Sequence, residues 1–245
     1  EGLRFTNVEL EATFADTNAF QFLNGTYTQN NRALTWRAGI MYMPGRDWRM
    51  SLLGSTGFRA PNVDDMGKVF DGVPGSVLVP NPDLKPETTT NFEMAISKTF
   101  DKRITADLNA FYTLYNNALT VDDFNVNGQD SIDYDGTLSH VSALTNKKEA
   151  YLYGVSGQFT ANFDEHFSFT SGVTWTYARI KTDSVDQPLD HVPPVYGRTG
   201  LAYQAKRIRG EVYLVYNGWK RVSQYNTAPG SEDNLLYATA EGTPA

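Results

Sequence analysis

The chain has no cysteine at all. That excludes a disulfide framework and Cys-ligated zinc, without choosing a compartment. It also lacks any run of about 18 apolar residues, so no transmembrane helix is expected. A formal net charge of −7 argues against a dedicated nucleic-acid binder, whose domain would be basic. There is no G-x-S-x-G, no phosphate-cradling glycine loop and no pair of histidines at metal spacing. No catalytic, cofactor-binding or metal residue is therefore assigned, and an enzyme is not expected. No signal peptide begins at Glu1, which reads as a mature or truncated chain. Helical periodicity is nearly missing as well.

What is present is aromatic and alternating. Aromatics form 13% of the chain, too many for a disordered segment. From Arg103 to Tyr115, Ile104, Ala106, Leu108, Ala110, Tyr112 and Leu114 share one face. Thr105, Asp107, Asn109 and Thr113 share the other, with Phe111 the exception. Phe92, Met94 and Ile96 repeat the pattern, as do Phe169, Val173 and Trp175, then Val212, Leu214 and Tyr216. Period two means strands, and about nine are expected, several longer than the usual five or six residues.

Connections alternate between short and long. Tight turns sit at Pro44-Gly45-Arg46-Asp47, Asp101-Lys102-Arg103, Asp164-Glu165-His166 and Ala205-Lys206-Arg207. Long polar segments run from Asp16 to Asn31, Ala60 to Glu87, Asn116 to Lys147 and Thr182 to Pro194. Outer-membrane barrels have this asymmetry, with short periplasmic turns and longer extracellular loops; a soluble sandwich or propeller can share it. Aromatic depth separates them. A tilted strand climbs roughly 2.3 Å per residue. Trp36, Tyr112, Tyr153, Trp175 and Tyr216 lie about ten residues from their short turns, while Tyr42, Trp48, Phe100, Phe163, Phe167 and Tyr203 crowd the turns themselves. Two belts spaced by about 25 Å match the apolar band of a spanning barrel, whereas a soluble core would bury its rings mid-strand. The opposite faces carry Arg37, Glu93, Asp107, Arg209 and Glu211, expensive in a small core but tolerable in a wide lumen. About nine strands cannot close so wide a barrel.

Two motifs then become recognisable. GFRAPN, Gly57 to Asn62, followed by NPDLKPETTTNFE, Asn81 to Glu93, resembles the motif pair of TonB-dependent outer-membrane receptors. In that family the first ends an ascending strand and the second begins a descending one across a long outer loop. The resemblance implies an all-β fold, a membrane-spanning antiparallel up-and-down barrel of roughly 22 strands, of which this chain supplies about nine. Residues 1–245 are then a segment of the barrel domain, about strands eleven to nineteen, without the plug domain and the C-terminal strands. It further implies a Gram-negative outer membrane, outer-membrane lipid around the barrel, small-molecule cargo at the extracellular loops, and a TonB-type periplasmic partner acting through the plug. Pro61 and Pro86 remove donors and extend the residues before them, and Asn81-Pro82-Asp83 is turn chemistry, so the motif reads as architecture more than as a ligand site. Glu87 and Glu93 share the inward parity and could reach a plug or the lumen.

Glycan importers of the family more often carry Trp after the Leu-Lys of the motif. Here Pro86 follows Lys85, which favours iron–siderophore or cobalamin-like cargo over oligosaccharide. Haem would call for a loop histidine, and His140 and His191 both fall in expected outer loops. Asp123, Asn125 and Asn127 before Gly128 imitate the opening of a calcium loop, but position twelve is Tyr134 and the bidentate closer is missing, so a solvated acidic loop is the simpler reading. A passive porin-type channel and a soluble all-β binding module remain the rivals; neither accounts for the motif pair.

Overall fold

Short-period alternation becomes a single antiparallel layer in the computed structural model, which describes residues 1–14, 25–71, 74–182, 185–189, 192–226 and 243–244. In chain order the elements are β1 (Gly2–Phe14), β2 (Gly25–Tyr42), β3 (Trp48–Arg59), α1 (Val63–Gly67), β4 (Ser76–Val79), β5 (Glu87–Phe100), β6 (Ile104–Asp123) and β7 (Ser131–Tyr134). There follow β8 (Thr137–Asn162), β9 (Phe167–Ile180), β10 (Gln187–Pro188), β11 (Val195–Gln204), β12 (Arg209–Asn217), β13 (Trp219–Lys220) and β14 (Thr243–Pro244). Nine strands neighbour one another in the order β1-β2-β3-β5-β6-β8-β9-β11-β12, each pair antiparallel. That is the up-and-down meander expected, with the expected number of strands.

All four short turns fall where their residues placed them. Asp101 and Lys102 both take positive φ, 47° and 59°, and Arg103 N–H closes onto the Phe100 carbonyl at 3.0 Å. That is the primed two-residue turn whose twist suits a hairpin. At the β8–β9 turn the Asp164 carboxylate accepts from the backbone N–H of His166 at 2.7 Å and of Phe167 at 2.8 Å. Those two bonds hold its pKa below the ordinary carboxylate value.

The two faces separate by register. One row reads Ile40, Leu52, Met94, Ala110, Val155 and Trp175 across six strands; the next reads Met41, Ser51, Ala95, Asn109, Ser156 and Thr174. Apolar-row side chains are open to the surroundings, Leu52 at 58% and Leu108 at 50%. The polar face lines a cleft of ≈ 650 Å³ bordered by Arg49, Asp107, Asn109, Gln158 and Arg198. No second layer covers the apolar face among the described residues, as a soluble sandwich would require. Phe111, the exception to the alternation, stands directly opposite Gly154. A Cβ at Gly154 would meet the Phe111 Cζ at 2.5 Å and the Trp175 carbonyl too. The ring covers a position only glycine leaves open.

Several segments expected as loop are strand. β2 begins at Gly25 and pairs with β1 up to Phe14, so residues 25–31 belong to the sheet. The expected loop from Asn116 to Lys147 is largely an arm: β6 runs to Asp123 and pairs with β8 as far as Ser142. Asn117, at φ 57°, interrupts the pairing between Asn116–Glu149 and Ala118–Lys147, but the register is the same on either side of it. In the arm alternation fades because apolar residues pack on both faces, Leu119 and Leu144 in the cluster of Met66 and Leu84, Val141 and Ala143 in that of Val77 and Val79. The expected loop from Ala60 to Glu87 contains α1 and β4, and that from Thr182 to Pro194 contains β10. At Gly218 the chain leaves the main ladder, and Trp219 pairs with Pro244 in a separate two-stranded ladder.

Most of the buried apolar residues sit at the end that carries the long connections, Ala161 beside the short turns being an exception. Val77, Val79, Val126, Val141 and Ala143 form one cluster, with Phe124, Ile132 and Tyr134 against it. Met66, Leu84 and Ala12 form a second, backed by Leu10, Leu119 and Leu144.

Candidate cargo mouth

The segment between β3 and β5 builds the mouth from the motif residues. Arg59 ends β3, and Pro61 stops the pairing. Asn62 caps α1: its Oδ1 accepts from Asp65 N–H at 2.7 Å, and the Asp65 carboxylate accepts from Asn62 N–H at 3.0 Å. This reciprocal box satisfies donors that a helix start leaves over. Asp65 is also gripped by Arg59 at 2.7 Å, and Arg59 reaches Glu87 at 2.8 Å. The guanidinium is half-exposed while both carboxylates are mostly covered, 13% and 17% open. One cation thus ties the end of β3, the start of β5 and α1. Each exposed-side pair adds up to about 1 kcal/mol, and the shared network fixes geometry more than it adds stability.

The NPDLKPE half is held from both sides of the mouth. Gln29 on β2 donates to the carbonyls of Pro82 at 2.8 Å and Leu84 at 3.0 Å. Asn81 donates to the Leu144 carbonyl at 2.8 Å while its own oxygen takes Asp83 N–H at 3.1 Å. Asn146 accepts from Lys85 N–H at 2.7 Å and donates to the carbonyls of Lys85 and Asn117, both at 2.8 Å. Glu87 takes Leu119 N–H at 2.8 Å on its second oxygen. Met66 and Leu84 press on Leu10 and Ala12 of β1. Those residues carry the same parity as the lumen-facing Arg37, so the strap crosses the concave side from β1 and β2 to β6 and β8. The motif's polar groups are committed to holding this strap, the architectural reading made from its prolines and turn.

Glu93, the other inward carboxylate, accepts from Asn91 at 2.6 Å, and Asn91 takes the Thr113 hydroxyl at 2.7 Å. It remains on the lumen side, as counted. The calcium-like series does not converge. Asp123 Oδ1 meets His140 Nε2 at 3.0 Å, and Val126 and Gln129 exchange backbone bonds around Asn127-Gly128, both at positive φ. Asn127 and Gly128 make a tight turn between Val126 and Gln129 in place of a ligand ring; Gly128 serves the turn and not a cation. His140 lies on the lumen side of the arm, exposed and paired with Asp123. His191 lies outside the described residues. What sequence reading missed is Gln29 and Asn146, whose roles carry no local signal because their partners lie 29 to 61 residues away.

A family model described as TonB dependent receptor-like, beta-barrel, matches residues 2–243. The chain belongs to the TonB-dependent receptor family. The resemblance carried by GFRAPN and NPDLKPE extends over the whole strand layer, and this is a family of outer-membrane receptors, not of enzymes. An iron-regulated outer membrane virulence protein of Vibrio cholerae is 30% identical over 173 residues, covering 67% of this chain and 26% of that protein. The crystal structure of the siderophore receptor PirA from Acinetobacter baumannii superposes with a TM-score of 0.61 at 18% identity, over 79% of this chain and 30% of that one. The copper transporter OprC superposes at 0.58 with 14% identity, over 82% and 28%. The receptor segment therefore spans a quarter to a third of the length of these relatives. At such identities the two structures share the fold, and their different cargoes show that the fold leaves the cargo open.

Proposed function

We propose that this segment is part of a receptor that imports a scarce nutrient across the outer membrane, with an iron–siderophore complex as the first cargo to test. The observation that carries the reading is the strap: a crossing of the mouth held by hydrogen bonds from Gln29, Asn81 and Asn146, built from the family's own motif pair and set against the polar face. A passive pore has no need of an ordered obstruction there. The iron-regulated relative supports the choice of iron. Cobalamin-like cargo is the runner-up on the Lys85-Pro86 sequence. Haem is disfavoured, because the described loop histidine is already engaged by Asp123. Transport in this reading is driven through a plug and a TonB-type periplasmic partner, with the rest of the barrel completing the wall.

The test is uptake of radioactive iron by cells in which the complete gene is deleted and then restored, each supplied with a panel of ferric siderophores under iron limitation. Loss of uptake of one chelate on deletion, and equal loss when the TonB-type partner is removed, supports the reading. Undiminished uptake of every chelate, together with lost uptake of cobalamin or free copper, would move the assignment to that cargo.

A further inference from the structure

On the apolar side of β6, β8 and β9 the outward rings gather into one shelf. Tyr153 stacks on Tyr112 at 6.3 Å and on Tyr151 at 6.5 Å, and meets Trp175 at 5.8 Å and Tyr177 at 5.1 Å. Above it the Arg179 guanidinium lies over the Tyr177 ring, 4.2 Å from the centroid. Arg179 shares the outward parity of Tyr177 and Trp175 and is directly opposite Tyr151. Counted from Phe167, twelve residues at roughly 2.3 Å each place it about 28 Å above the short turns, just past an apolar band of about 25 Å.

The described charged groups near Arg179 already have partners. Tyr151 donates its hydroxyl to Asp186 at 2.9 Å, and Lys181 pairs with Glu149. Arg179 itself donates once, to the Ala178 carbonyl at 2.8 Å, and no carboxylate of the described residues forms an ion pair with it. A guanidinium has five donors in a planar fork that matches phosphate geometry. Here the partly exposed guanidinium sits on the outward face at the headgroup level of the outer leaflet, with the Tyr177 ring beneath it.

We propose that Arg179 and the tyrosine shelf form a binding site for the phosphate of a phosphorylated lipid in the outer leaflet, its acyl chains lying along Tyr153, Trp175 and Val173. The site is separate from the cargo mouth, since it lies on the opposite face of the sheet. It rests on the outer-membrane placement and not on the choice of cargo.

The complete receptor, purified in detergent and stripped of lipid, is titrated with diphosphorylated lipid A and with its phosphatase-treated product, and adducts are counted by native mass spectrometry. The phosphorylated form is expected to bind about fivefold more tightly, the worth of one well-placed cation near a membrane surface. Arg179→Gln abolishes that preference, while Lys102→Gln at the opposite end leaves it intact. Arg179→Lys keeps charge without the fork and retains only part, which holds the test open if the glutamine variant loses its folded, heat-modifiable band. A wild-type receptor with no phosphate preference, or one that persists in Arg179→Gln, overturns the proposal.

Discussion

Arginine placed at Leu108 and at Asn109 puts the same charge on the two faces of one strand. Leu108 stands between Ile96 and Gly157 in the apolar rows, half open, four residues from Ile104 at the short turn and four from Tyr112 in the outer belt. At roughly 2.3 Å per residue it lies about 9 Å from Ile104 and from Tyr112, well inside the hydrocarbon. A guanidinium there should cost about 2–4 kcal/mol, or about thirtyfold to several hundredfold in the folding equilibrium. Asn109 faces the polar cleft between Ala95 and Ser156, where its buried Oδ1 has no hydrogen-bond partner. A cation entering that side reaches water and acceptors, so its cost should stay below about 1 kcal/mol. The assay is reversible folding of the complete barrel into lipid vesicles under a urea gradient, read by tryptophan fluorescence and by heat-modifiable migration. Equal costs for the two variants, or a larger one at Asn109, would refute the assignment of faces.

Brominated lipid should quench single tryptophans at Trp36, Trp48 and Trp175 and spare Trp219, which has left the ladder; quenching of Trp219 alone would contradict this. Asn62→Ala, breaking the capping box and loosening Asp65 from Arg59, should lower cargo affinity and cost about 1 kcal/mol locally, leaving the heat-resistant barrel band unchanged. Because Asp164 titrates below its ordinary value when folded, its turn is supported above the unfolded carboxylate pKa and released as pH falls through the folded one; hydrogen exchange at His166 and Phe167 should rise over that acidic window in the wild type and be insensitive to it in Asp164→Ala. Residues 1–245 expressed alone should aggregate, since two open edges and an uncovered apolar face survive neither in lipid nor in water; a monodisperse, detergent-free solution with cooperative unfolding would count against the membrane reading.

The spanning part of the fold was legible because hydrocarbon on one side and a wet lumen on the other impose strict alternation, and Leu108 beside Asn109 shows it directly. Legibility ended where that contrast ended. Residues 25–31 form a polar strand, and in the arm beyond Asn116 apolar residues pack on both faces, so neither stretch shows a clean alternation. The cargo mouth was half legible. Its motif announced a turn and a strand boundary, but not that Gln29 and Asn146 would hold it from opposite walls. Asn127-Gly128 resembled a cation loop because oxygen-rich spacing and a primed hairpin turn call on the same residue types.

β4 occupies a position that strand counting gives to no loop. β8 outruns β9, whose pairing stops at Ala150–Ile180, and the bare edge this leaves is taken in parallel register by Ser76–Val79 against His140–Ala143. The β3–β5 connection is therefore stitched into the hairpin made by β6 and β8, through backbone bonds as well as through the valine cluster. Two stretches separated in the gene behave as a single inherited part. Length changes in one must be matched in the other, and a chimera meant to transplant ligand preference between relatives has to carry both segments together.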